Sequence, residues 1–282
     1  DWGIMHFWFR AVEKYAPWVR RVHFITCGQI PEWLNLNHPK LNFVRHKDYI
    51  PEKWLPTFSS HTIEINIHRI PGLAEKFVYF NDDVFINAPV RPEDFFRDGL
   101  PCATAVLSVP PVRWKRHGIG NVALNDIQAI NEHFDFRSRF RADLFKWISP
   151  RYGIKNVIRT LMLATFHMYT GFMELHAANS YLKATFNEVW EAESVWMAET
   201  SARRFRERSD ANQWLMEYWQ LASGKFYPRN PGFSKLYGGM NLAKAAEDIR
   251  SQAHKVICIN DNRALDDQKF AEASEAVRRA YS

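Results

Sequence analysis

Four apolar residues in a row, Phe77-Val78-Tyr79-Phe80, stop abruptly at Asn81-Asp82-Asp83. A strand that is apolar at every position, and not only at alternate ones, has to be covered on both faces. Helices do that covering, so this short run points to an α/β fold. Its surroundings agree. Ile4, Phe7, Trp8, Ala11, Val12 and Tyr15 keep the spacing of an amphipathic helix that ends before Pro17. Residues 22–26 and 41–46 read as strands. Ser60 is placed to cap a helix with the stripe Ile63, Ile67 and Ile70, stopped by Pro71-Gly72. Strand, helix and strand in this order predict a mostly parallel sheet.

From about Pro111 to Tyr227 the pattern turns helical, apart from a polar, basic stretch from Arg113 to Asn125 that reads as a loop. Residues 255–259 form a last strand candidate, followed by Asn260-Asp261-Asn262 and a polar-faced terminal helix. The expected organisation is an α/β core over 1–110, a helical insertion over 111–227, and a return to the core over 228–282. With 282 residues, 46% of them hydrophobic and 24% charged, the chain can bury a full core. Its richest apolar stretch, Val157 to Met168, is broken by Arg159 and His167, so no run reaches membrane-span length. The formal charge of +6 suits an anionic partner: nucleic acid, a membrane surface or a phosphorylated small molecule. The basic residues are scattered and no nucleic-acid-binding motif is present, so nucleic acid is the weakest of the three. Cys27, Cys102 and Cys258 lie far apart and form no CxxC pair, which favours reduced buried thiols over a zinc site or a disulfide framework. The chain starts at Asp1 with no signal peptide in view, and an upstream segment is expected to have been removed.

Asp82 and Asp83 sit where ligands bind in open α/β sheets, at the carboxyl end of a buried strand. Two hard carboxylates there suit Mg²⁺ or Mn²⁺ bridged to phosphates. Consecutive strand residues point to opposite faces, so both can reach one ion only if the strand has ended by Asn81. An aspartate capping the following turn is an equal alternative. Arg203, Arg204, Arg206 and Arg208 precede a helix start at Ser209-Asp210, an arrangement that can bind an anion, although a solvated basic face is the plainer reading. Nothing local marks His176, although its ring could take a proton at neutral pH. His117 follows Lys115-Arg116, neighbours that suit an anionic substrate, although a glycine-bearing surface turn is the plainer reading. Glu64 and His68, four apart on one helical face, are expected to bond to each other.

Leu55-Pro56-Thr57-Phe58-Ser59-Ser60, then Ile63-Glu64, His68-Arg69-Ile70, Gly72-Leu73 and the run from Phe77 to Asp83 resemble the Stealth family closely. Asp1-Trp2 with Arg10, Tyr15-Ala16-Pro17-Trp18 and the Gly28 to Leu34 segment are similar to it as well. The match covers about the first third of the chain. His176 followed by Arg206 and Asp210 resembles the family's third block, and Ile257 to Asp261 its short fourth. That family includes bacterial capsular and cell-wall polysaccharide phosphotransferases.

The resemblance implies a Rossmann-like sheet, a nucleotide-sugar donor, a polysaccharide or oligosaccharide acceptor, and Mg²⁺ or Mn²⁺ at Asp82 and Asp83. It implies His176 as the catalytic base and Arg206 as a donor-phosphate clamp, with Asp210 holding Arg206 or the metal. Arg10, Asn81, His117, Asn260 and Asp261 become candidate donor-binding residues. A cytoplasmic enzyme, peripherally associated with the inner face of the membrane, fits the same analogy. One family block is missing: a first strand reading approximately VYTWVDG. A metal-dependent glycosyltransferase and a non-catalytic glycan-binding module are the alternatives.

Overall fold

The computed structural model describes residues 4–112, 119–238, 241–260 and 267–281. Helix α1 (Met5–Tyr15) leads to strands β1 (Val22–Thr26) and β2 (Leu41–Arg45), helix α2 (Ser60–Ile65), and strands β3 (Lys76–Tyr79) and β4 (Val84–Ile86). Strands β5 (Phe96–Arg97) and β6 (Leu100–Ala103) follow. Then come helices α3 (Ile119–His133), α4 (Phe136–Ala142), α5 (Leu144–Trp147) and α6 (Ile154–Ala164), and strand β7 (Asn179–Leu182). Helices α7 (Lys183–Ala192), α8 (Ser194–Ala202) and α9 (Trp214–Ala222) precede strands β8 (Tyr227–Pro228) and β9 (Ser234–Gly238). Helix α10 (Leu242–Ser251), strand β10 (Val256–Asn260) and helix α11 (Asp267–Tyr281) close the chain.

The fold is mixed α/β, as expected, but the strands do not display a clear Rossmann-like, mostly parallel sheet. Among the described residues the strands form four small sheets: β1-β2, β4-β10-β9, β3-β7 and β5-β6-β8. The pairs β1·β2, β10·β9 and β6·β8 are parallel, whereas β10·β4, β3·β7 and β5·β6 are antiparallel. The apolar run around Phe77 marks a strand but carries no information on the direction of its neighbour. Its partner turns out to be β7, with Phe77 opposite Tyr181 and Tyr79 opposite Asn179, about a hundred residues along the chain.

Strand β10 illustrates why some runs here are apolar throughout. Val256 and Cys258, with Val84 and Ile86 of β4, pack against Ala11 and Val12 of α1. Ile257 and Ile259, with Phe85, pack on the other face against Ala245 and Ile249 of α10 and Val277 of α11. Period-two alternation thus serves two cores at once. A third and larger core joins Val44 of β2 and Ile65 near α2 to Ile127 and Ile130 of α3 and to Leu215 and Tyr218 of α9. The helical stretch therefore shares its core with the first strands.

Local boundaries differ from expectation in two places that bear on the site. The helix beginning at Ser60 breaks at Asn66 and continues as a single 3₁₀ turn, Ile67–Arg69. Helix α9 starts at Trp214, with Gln213 in the capping position, and not at Ser209. The Ser209 carbonyl instead accepts a hydrogen bond from the Trp196 indole. No arginine-flanked helix N-terminus exists at Asp210.

Candidate functional site

A cavity of about 1000 Å³ opens between β1 and β3. Residues 22–25 and 76–80 line it consecutively. A strand lining a cavity with its face would show alternate residues, so both strands present their edges. Trp8 and Val12 of α1, and Ile63 and Ile67 of the α2 region, form apolar walls. The cavity's polar lining includes Asn81, Asp82, Asp83, His176 and Asn260, and also Arg206, Ser60 and Glu64.

The strand ends before Asn81, which is the condition a shared site for both aspartates would require. Strand β3 stops at Tyr79, residues 82–83 form a turn, and β4 restarts at Val84 in a different sheet. The acidic turn is thus the joint between two sheets. Asp82 is exposed and Asp83 half-buried. Asp83 Oδ2 accepts a hydrogen bond from Asn260 Nδ2 at 2.7 Å and lies 3.3 Å from His176 Nε2. Asp83 Oδ1 is buried and makes no hydrogen bond among the described residues. Burial works against the Asp83 charge, but the hydrogen bonds from His176 and Asn260, with the histidine's charge, hold the carboxyl below its usual range.

His176 sits in the loop before β7, and its backbone adopts φ 45°, a left-handed conformation that a non-glycine residue takes up at a cost of about 1–2 kcal/mol. The loop places Nε2 within 3.3 Å of Asn81 Nδ2 as well as of Asp83. The hydrogen bond to Asp83 raises the imidazole pKa against the opposing effect of burial. Cys258, which the sequence offered only as a bland thiol, brings Sγ within 4.8 Å of the Asp83 and His176 ligand atoms. Burial and the Asp83 charge push its pKa up, so the thiol keeps its proton.

This donor set bears on which ion fits. Oxygen, nitrogen and sulfur together suit softer first-row metals. The carboxylates of Asp82 and Asp83 alone offer hard oxygens, and the unbonded Oδ1 is an open ligand position for such an ion.

Arg206 Nη2 donates to Ser60 Oγ at 2.6 Å. A guanidinium carries five N–H donors and this bond uses one. Glu64, at the base of this corner, is raised by burial, an effect partly offset by His61, Ser60 and Arg206. It does not pair with His68 as expected: the helix breaks at Asn66, and the His68 ring stacks on Phe186. Burial lowers the His68 pKa to about 4.

Two expected site residues lie elsewhere. Arg10 extends over the Phe7 ring on the exposed side of α1 and does not line the cavity. Asp210 is fully buried and does not hold Arg206. It accepts from Arg203 Nη1 at 2.7 Å and from the Glu207 backbone at 2.8 Å, and its other close partner is His61 Nδ1 at 2.9 Å. Because no helix starts at Ser209, Asp210 turns inward to close the loop that carries Arg206. His117 and Asp261 lie outside the described residues.

Removing the Asp210 carboxylate should therefore cost stability before chemistry. We expect Asp210→Ala to destabilise the fold by about 3 kcal/mol, because it leaves buried partners unpaired. The hydrogen bond from His61, with those from Glu207 and Arg203, holds the Asp210 pKa low in spite of burial. Its contribution is thus present above the unfolded carboxylate pKa of about 3.9 and disappears as pH falls through the lower folded value. Urea melts of wild type and variant, carried from neutral into acid pH, should converge at the acid end.

Residues 1–102 match the Stealth protein CR2, conserved region 2. Over its whole length the chain is 41% identical to the capsular polysaccharide phosphotransferase WcwK of Streptococcus pneumoniae, of which it covers 83%. It is 42% identical over 274 residues to the receptor polysaccharide phosphotransferase WefC of Streptococcus oralis, with 95% of this chain and 80% of that protein aligned. The exopolysaccharide phosphotransferase cps2G of Lactiplantibacillus plantarum is 42% identical over 263 residues, 93% of this chain and 77% of the relative.

Proposed function

Because this chain belongs to the Stealth family of polysaccharide phosphotransferases, we propose that it moves a sugar-1-phosphate from a nucleotide sugar onto a carbohydrate hydroxyl. The acceptor oxygen attacks the sugar-linked phosphorus and a new P–O bond forms. The phosphoanhydride bond breaks, its electron pair leaves with the nucleoside monophosphate, and a phosphodiester joins the two sugars. Such transfer asks a protein mainly for alignment and for neutralisation of charge.

The observation that supports this reading is that Asp82, Asp83, His176, Asn260 and Arg206 all line one cavity. Asp83 Oδ2 engages His176 Nε2, which leaves Nδ1 to accept the acceptor hydroxyl proton, the division of labour seen wherever a carboxylate orients a catalytic imidazole. Arg206, steadied by Ser60, offers its remaining N–H groups to the donor phosphates. Asn260 fixes the Asp83 carboxylate. Asp82 and Asp83 Oδ1 would hold Mg²⁺ or Mn²⁺, which neutralises charge on the donor phosphates when bound. The nucleotide portion would lie along the cavity toward β1.

Identification of the released nucleotide tests this reading. A panel of nucleotide sugars, incubated with a divalent cation and an oligosaccharide acceptor, should yield nucleoside monophosphate by mass. Release of a diphosphate would instead mean that the sugar C–O bond is cleaved, as in an ordinary glycosyltransferase.

A further inference from the structure

Helix α6 is mounted with its more apolar side outward. Thr160 is fully buried and its hydroxyl accepts from the Leu107 backbone, Asn156 donates to the Tyr152 carbonyl, and Val157, Leu163 and Ala164 rest against the large core. Ile154, Ile158, Leu161 and Met162 form the opposite stripe and are exposed, with Ile154 and Met162 keeping 72% and 67% of their surface. Phe166, just beyond the helix, keeps 65%. A helix on a water-facing surface normally shows the reverse arrangement, and an apolar stripe of this kind marks an interaction surface.

Charge indicates what covers it. From residue 144 to residue 173 the chain contains no Asp or Glu, whereas it has 31 acids in 282 residues overall. The same stretch carries Lys146, Arg151, Lys155 and Arg159. Lys155 and Arg159 lie on α6 itself and are exposed beside the stripe. A second copy of this chain docking α6 against α6 would bring basic flank against basic flank, which disfavours a symmetric dimer through this face. An anionic lipid surface offers both complements at once, acyl chains for the stripe and phosphates for its flank.

We propose that α6 lies flat in the interface of an anionic bilayer. Ile154, Ile158, Leu161 and Met162 reach the acyl boundary there, and Lys155 and Arg159 lie among the headgroup phosphates. The helix has 11 residues, and no helix among the described residues is long and apolar enough to cross a membrane. Attachment through a helix of this length is peripheral and reversible.

The test is co-sedimentation of the whole chain with phosphatidylcholine vesicles, with and without phosphatidylglycerol. Binding is expected with phosphatidylglycerol and is expected to weaken as salt rises. Ile158→Glu with Met162→Glu should weaken it at least about tenfold. Lys155→Gln with Arg159→Gln should weaken it by about fivefold per charge removed. Circular dichroism and melting temperature serve as controls for folding, and the glutamine pair still decides the matter if the glutamate pair does not fold. No binding to phosphatidylglycerol vesicles, or equal binding by the folded variants, would overturn the proposal. So would a wild-type dimer that either pair converts to monomer with no change in lipid binding, because a second copy would then cover α6.

Discussion

Replacing His176 with alanine is expected to lower turnover by roughly two to four orders of magnitude while leaving donor affinity close to wild type. The split between the two effects follows from position. His176 reaches the cavity from the β7 side and touches Asp83 and Asn81, whereas Arg206 and Ser60 approach from the α2 side. In the proposed reaction, deleting the imidazole removes the proton acceptor and leaves in place the arginine assigned to the donor phosphates. Single-turnover rates with a fixed donor, alongside donor binding by calorimetry, separate the two quantities. A variant that turns over normally would take His176 out of the reaction, and one that loses donor binding and rate together would make it a structural prop for Asp83.

Asp83→Asn should produce a loss of similar size, roughly two to three orders of magnitude, with a different signature. The wild-type donor affinity should fall on chelation and recover with added Mg²⁺ or Mn²⁺. The variant should bind donor weakly whether or not a chelator is present. Asparagine preserves the shape of the turn and can still face Asn260 and His176, so the change tests charge more than packing. Chelator-insensitive donor binding by the wild type would remove the cation from the site. Metal analysis of the protein as purified tells a hard ion on the two carboxylates from a softer one that also recruits His176 and Cys258.

Much of this arrangement could be read before any coordinates, and the reasons are local. Strand β1 occupies the expected 22–26, and α1 ends before Pro17, because alternation and proline act over a few residues. The end of the apolar run at Asn81 was legible as well, and β3 stops at Tyr79, although Phe77, Val78 and Tyr79 are half-buried and not buried as such a run suggests. Pairing was not legible. Nothing in Phe77 to Phe80 says that β7 will lie alongside, and the expectation of a parallel sheet failed there. His176, Arg206 and Asn260 entered only through family resemblance, because residues 95 and 177 positions away from their partners leave no local trace. Resemblance also misled. It tied Asp210 to Arg206 or to the metal, whereas Arg203, seven residues away, is the arginine that donates to it. Cys258 was missed altogether. One signal was available: its place in the strand run just before Asn260, which aligns its side chain with the acidic turn.

The edges of β1 and β3 that face each other across the cavity impose a selection of their own. Each edge carries peptide N–H and carbonyl groups that solvent satisfies while the slot stays wet. A guest that dries the slot must offer donors and acceptors to those groups, or strand them at about 1–3 kcal/mol apiece. Purely greasy molecules are therefore disfavoured along these edges, even where Trp8, Val12, Ile63 and Ile67 supply apolar walls. Molecules dense in hydroxyl, amide and phosphoryl oxygens meet that demand.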